Sequence, residues 1–243
     1  MGASDFSKLP HIGEPVKRKE DYRFLTGAGQ YTDDIALAAQ AHAVFVRSPH
    51  AHARVRSVST DAAKAAPGVI GVLTGADVAA DKINGLPCGW LITSTNGEPM
   101  KEPPHPILAL DTVRYVGDQV AMVVAETLEQ ARDAAELVEV DYDPLPAVVL
   151  VADAAAGSVP GAVVHDIAPD NHCYKWAIGD KAAVDAVFAG AAHVAQLDLV
   201  NNRLIPNAME PRAAIGSYSR ANDEYTLYVA CLLYTSPSPR DKR

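Results

Sequence analysis

Residues 114–149 read RYVGDQVAMVVAETLEQARDAAELVEVDYDPLPAVV, and this stretch decides the fold. Gln119–Ala125 is short and almost wholly apolar, which predicts a strand covered on both faces. Thr127 follows, with Gln130 three residues later, a capping-box pattern that predicts a helix start. Leu128, Ala131, Ala134, Ala135 and Val138 then recur at helical spacing. Glu139–Tyr142 is extended again, and Pro144 and Pro146 forbid a return to helix. Strand, capped helix and strand form one packed unit, the expected centre of the first domain.

The pattern repeats upstream. AHAVFVR (41–47) alternates and is rich in β-branched and aromatic residues, a strand broken by Ser48-Pro-His-Ala-His52. Ala53–Val58 is extended, Asp61–Ala66 is a short helix stopped by Pro67-Gly68, and VIGVLT (69–74) is another buried strand. Gly75-Ala-Asp-Val opens a helical turn. Residues 81–107 carry five prolines and form a long irregular loop, a length that points to function or an interface.

Downstream, residues 150–175 are loose. Asp180–Ala189 predicts a helix with Val184, Val187 and Phe188 on one face and Gly190 as its stop. Val194–Val200 alternates as a strand would. Arg212–Tyr218 and Glu224–Ala230 predict a hairpin across Arg220–Asp223. The closing LLYTSPSPRDKR does not continue the pattern and is expected to be a disordered tail foreign to the fold.

Composition bounds the class. The chain has 243 residues, 49% of them apolar, enough for a substantial core. A net charge of −9, scattered rather than blocked, argues against a nucleic-acid or anionic-membrane surface. Three distant cysteines without CxxC fit a reducing compartment. No run reaches the ~18 apolar residues of a membrane span. The N-terminus has no apolar signal core, so a cytoplasmic location is expected.

Motif by motif, most chemistry reads as structure. Gly27-x-Gly29 lacks the third glycine and the flanking strand and helix of a nucleotide loop, so a turn feeding a short strand is expected. His50-x-His52 is expected to be a surface turn rather than a metal site, because no third ligand is near. His105 needs no ligand, and His165, His172 and Cys173 fit no zinc spacing. Cys88 has no cationic neighbours in sequence and is expected to be inert. Asp133, Glu136 and Glu139 read as a solvated helix face.

The motifs EDYRFLTGAGQYTDDI (20–35), VFVRSPHAHARV (44–55), PPHPILALDTVRYVGDQVAMVVAET (103–127), VDYDPLPAVV (140–149) and NNRLIPNAMEPRAAIGSY (201–218) together resemble the molybdenum-binding large subunits of the xanthine oxidase family, nearest its carbon-monoxide-dehydrogenase-like branch. The resemblance implies an α+β fold. It has an arm (1–19), an α/β hammerhead domain (20–150), a linker (151–174), the start of the first molybdopterin-binding domain (175–230) and the tail (231–243). It further implies a molybdopterin cytosine dinucleotide cofactor, an FAD-binding medium subunit, a [2Fe–2S] small subunit and a dimer of heterotrimers. The implied chemistry is oxidative hydroxylation of CO, an aldehyde or an N-heterocycle with water.

Full-length relatives are similar to much longer chains, so the expectation is an N-terminal fragment, inactive alone. It would contain no principal catalytic residue, no metal ligand and no retained cofactor. By position against Met209-Glu-Pro-Arg212, Asn202 is implied to hydrogen-bond a molybdenum oxo ligand; a turn or strand-end role is the alternative. Glu210 and Arg212 are implied to line the substrate approach, with a structural ion pair as the alternative. A reading from another class is a non-catalytic hammerhead module that scaffolds partner subunits.

Overall fold

The computed structural model describes residues 17–202, 204–205, 207–208 and 210–230. The expectations for residues 1–16 and for the 231–243 tail lie outside the described residues. Two compact units are present: Ala39–Leu197 is one, and the described residues up to Ala38 and from Asp198 onward are the other.

The unit 39–197 is built on the 114–149 stretch. β5 (Gln119–Ala125) is followed by α4 (Leu128–Glu136) and β6 (Glu139–Pro144). Thr127 caps α4 reciprocally: its Oγ1 accepts from Gln130 N at 3.2 Å, and Gln130 Oε1 accepts from Thr127 N at 3.1 Å. Ala131, Ala134 and Val138 are buried, whereas Asp133, Glu136 and Glu139 are exposed, so the apolar stripe sits on the face expected.

The two strands of this unit enter different sheets. β5 is the centre of an antiparallel sheet ordered β1-β5-β3, with β1 (His42–Arg47) and β3 (Val69–Thr74). β6 joins a second antiparallel sheet ordered β4-β2-β6, with β2 (Ala53–Ser59) and β4 (Thr112–Val113). The earlier strand–helix–strand segment does the same in the opposite sense. It leaves the second sheet at β2, passes through α2 (Asp61–Lys64) and enters the first at β3.

Alternation along β5 serves two cores. Ala121 and Val123 join Ala63, Val72, Ala134 and Val138 in one cluster, whereas Val120 joins Ala53, Ala109 and Val113 in the other. Alanine and valine dominate both, which lets helix and sheet approach closely. α3 (Gly75–Ala80) starts with a buried glycine whose backbone lies against Ala109 and Leu110.

The 81–107 loop is irregular as expected. Its one bridge among the described residues, Thr93 with Pro99, closes a small turn that the 173–175 segment joins through Thr95 N to Lys175 O and Lys101 N to Cys173 O. Residues 150–175 are not wholly loose: α5 (Val151–Ala156) ends at Gly157 in the left-handed region, φ 62°. α6 (Lys181–Gly190) is capped by Asp180, whose Oδ1 accepts from Ala183 N at 3.0 Å. Gly190 is its last helical residue rather than a left-handed stop; the chain turns extended at Ala191. Val194–Val200 is no strand: Val194, Leu197, Leu199 and Val200 are exposed and meet no ladder. Alternation alone cannot make a strand without a neighbour to supply hydrogen bonds.

In the other unit, α1 (Asp21–Leu25) precedes Gly27, which takes a positive φ of 74° to close the helix. A 3-10 turn, Thr32–Asp34, follows it where a short strand was expected. The hairpin stands as predicted, with β7 (Ala214–Ser219) paired to β8 (Glu224–Val229).

Candidate functional site

Two polar constellations stand out, one in each unit. The first holds the residues that the sequence singled out. Asn202 lies exposed in a segment without regular structure, and Arg212 lies exposed two residues before β7. Glu210 is half-buried, and its Oε1 accepts the backbone N–H of Thr32 at 2.8 Å. Pro211 biases Glu210 to an extended backbone. Thr32 is buried at the head of the 3-10 turn, which Asp34 closes by accepting from Tyr31 N at 2.8 Å. Glu210 therefore ties residues 178 positions apart, and no sequence pattern announces it. Among the described residues no ion pair joins Glu210 to Arg212.

The second constellation is a cavity of about 240 Å³ in the 39–197 unit, lined by His52, Arg54, Thr112, Arg114, Leu145 and residues of the 161–166 segment. Sequence reasoning placed His52 on the surface; it is instead 9% exposed. Its Nδ1 lies 2.8 Å from the Pro146 carbonyl. A carbonyl only accepts, so Nδ1 carries the hydrogen and Nε2 is left for other work. Arg114 donates through Nε to Val164 O at 3.1 Å and through Nη1 to Thr112 O at 3.1 Å. The polarity of this cavity has a sequence signal in hindsight. His52-x-Arg54 and Thr112-x-Arg114 share the period of two that sends alternate residues to one face of a sheet.

Next to the cavity, burial pushes the His165 imidazole below its ordinary value, and the neighbouring Arg114 and His52 add to this. The folded chain thus binds fewer protons here than the unfolded chain. Above the ordinary value of 6.5 the difference vanishes; as pH falls through 6.5, stability is lost. The urea midpoint of the unit is expected to drop between about pH 7.5 and about pH 5, and His165→Gln is expected to shrink the drop. Equal drops in both proteins would exclude His165 as the cause.

No group of three or more His, Cys, Asp or Glu converges as metal ligands among the described residues. Among the same residues, no helix is long and apolar enough to cross a membrane.

Comparison with known proteins gives these constellations a context. The family model for the aldehyde oxidase and xanthine dehydrogenase a/b hammerhead domain matches residues 26–146, and that for the molybdopterin cofactor-binding domain matches residues 164–235. The carbon monoxide dehydrogenase large chain of Afipia carboxidovorans is 36% identical over 91% of this chain and 27% of its own length. The nicotine 6-hydroxylase large subunit of Paenarthrobacter nicotinovorans is 36% identical over 90% of this chain and 26% of its own. Among solved structures, the Cu,Mo-CO dehydrogenase in its carbon monoxide reduced state superposes with a TM-score of 0.72 at 36% identity, over 92% of this chain and 28% of that one. Quinoline 2-oxidoreductase from Pseudomonas putida gives 0.67 at 33% identity, over 90% and 27%. The chain spans about a quarter of the length of the curated relatives it matches. Hammerhead and cofactor-binding segments in that order, on a mixed α and β fold, make the chain a member of the aldehyde oxidase and xanthine dehydrogenase family.

Proposed function

We propose that this chain supplies part of the large subunit of a molybdenum hydroxylase that oxidises carbon monoxide, an aldehyde or an N-heterocycle with oxygen from water. Residues 20–150 are the hammerhead scaffold, 151–174 a linker and 175–230 the opening of the cofactor-binding domain. The observation that carries this reading is the ordered pair of family matches over 26–146 and 164–235.

The cofactor is molybdopterin cytosine dinucleotide, and the residues present suit one edge of it. The Asn202 side chain is exposed and has no hydrogen-bond partner among the described residues, so its amide N–H is free to donate to an oxo group without adding charge. Exposed Arg212 lines the substrate approach. Glu210 spends one carboxylate oxygen on Thr32, which anchors the segment carrying both. When bound, the molybdenum group supplies the oxidation of substrate by two electrons. The partners are an FAD-binding medium subunit and a [2Fe–2S] small subunit in a dimer of heterotrimers. Three widely spaced cysteines support a cytoplasmic setting.

The test is the complete large subunit containing these residues, purified with its partners. Mass spectrometry of the metal content is expected to find stoichiometric molybdenum. Asn202→Ala is expected to slow reduction by substrate roughly tenfold or more while leaving the metal in place. A metal-free complex would overturn the reading. The 243-residue chain purified alone is expected to hold no molybdenum, and stoichiometric metal in it would refute the assignment of the cofactor's main ligands to other segments.

A further inference from the structure

We propose that the cavity between His52, Arg54, Thr112, Arg114 and the 161–166 segment is a binding site for a phosphate-class oxyanion that still carries a proton. The sheet supplies its floor. Arg54 and Thr112 are register partners on β2 and β4, and His52 and Arg114 lie two residues from them on the same face. Arg54 and Thr112 are thus placed by paired strands, and His52 and Arg114 by the residues that directly flank those strands.

Among the described residues neither guanidinium group makes an ion pair, and the one carboxylate on the lining is that of Asp166. Asp143, the β6 register partner of Arg54, is taken by Arg56 at 3.1 Å. Asp118 accepts the backbone N–H of Arg114 rather than its guanidinium. Among the described residues neither Arg54 nor Arg114 pairs with a carboxylate. Two guanidinium groups, that of Arg114 half-buried and that of Arg54 exposed, stand beside a buried imidazole and outnumber the one lining carboxylate, so the cavity is locally positive in a chain of net charge −9.

The wall is rigid. Asn171 accepts from Val164 N at 3.0 Å and donates to Ala162 O at 2.9 Å, from a left-handed backbone with φ 56°. Arg114 holds the same Val164 through its carbonyl. With Arg114 and His52 held by their backbone partners, a cavity of about 240 Å³ leaves room for a tetrahedral anion with residual water. Asp166, the one carboxylate on the lining, only accepts hydrogen bonds. It therefore favours an anion with an O–H to give, such as monohydrogen phosphate or a phosphomonoester, over fully ionised sulfate.

Calorimetric titration of the 243-residue chain with inorganic phosphate, at constant ionic strength and near neutral pH, tests this. Saturable one-to-one binding is expected, weakened about tenfold or more by Arg54→Ala. The Arg54 side chain makes no hydrogen bond or ion pair among the described residues, and the backbone pairing of Arg54 is kept by alanine, so that variant is expected to keep its urea midpoint. Sulfate is expected to bind about tenfold more weakly than phosphate. No saturable heat, an affinity indifferent to Arg54→Ala, or sulfate binding as tightly as phosphate would each overturn the proposal. A nucleoside 5′-monophosphate tells the sources apart: binding as tight as phosphate supports an esterified ligand, and exclusion beside phosphate binding supports the free anion.

Discussion

A chain carrying Val123→Asp is expected to be unfolded across residues 39–197. Val123 is fully buried at the middle of the central strand of the first sheet, opposite Val44 on one side and Val72 on the other. Its side chain enters the cluster with Ala63, Ala134 and Val138. No donor there can pair with a carboxylate, so the group must lose its charge or the fold must open. Either costs more than about 4 kcal/mol, set against a total stability on the order of 5–15 kcal/mol. Far-ultraviolet circular dichroism reads the outcome, and a spectrum like that of the parent chain would sink the prediction. Val123→Ala separates burial from charge: it is expected to fold with a loss of roughly 2 kcal/mol.

Gly75→Ala is expected to lower the urea midpoint, although glycine to alanine within a helix ordinarily stabilises by about 1 kcal/mol. A Cβ built on Gly75 would lie 2.3 Å from the Ala109 carbonyl oxygen and 2.8 Å from Leu110 Cα. These are backbone atoms and cannot rotate aside. The Ala109 backbone is itself tied to Gln119 O on β5 at 2.7 Å, so yielding would disturb the ladder beside it. The expected loss is about 1–3 kcal/mol. A raised midpoint would mean that the contact between α3 and this segment is looser than described.

What the sequence could show depended on how local each cause is. The Thr127–Gln130 cap and the apolar face of α4 are set by residues within one or two turns of each other, so both were legible. The sheet that β6 joins is decided by pairing with Ala53–Ser59, some eighty residues earlier, and nothing within Glu139–Pro144 encodes that choice. The same holds for the candidate residues. The Asn202–Arg212 segment was singled out by motif. The hold of Glu210 on Thr32, the burial of His52 and the reach of Arg114 to the Val164 carbonyl arise only when distant segments meet. Val194–Val200 shows the opposite error: a local alternation that finds no partner strand.

The order of strands in the two sheets has a consequence for synthesis. In the sheet β4-β2-β6 the central strand emerges from the ribosome first, and its neighbours add to it. In the sheet β1-β5-β3 the central strand emerges last. β1 and β3 cannot complete their ladders in this sheet until β5, Gln119–Ala125, has been made. At typical elongation rates the gap between the end of β3 and the end of β5 lasts roughly 3–10 s. Throughout that interval, the apolar edges of Val44–Val46 and Val69–Leu73 are open to wrong partners. The nascent chain is therefore most in need of a chaperone before its most legible stretch has been translated.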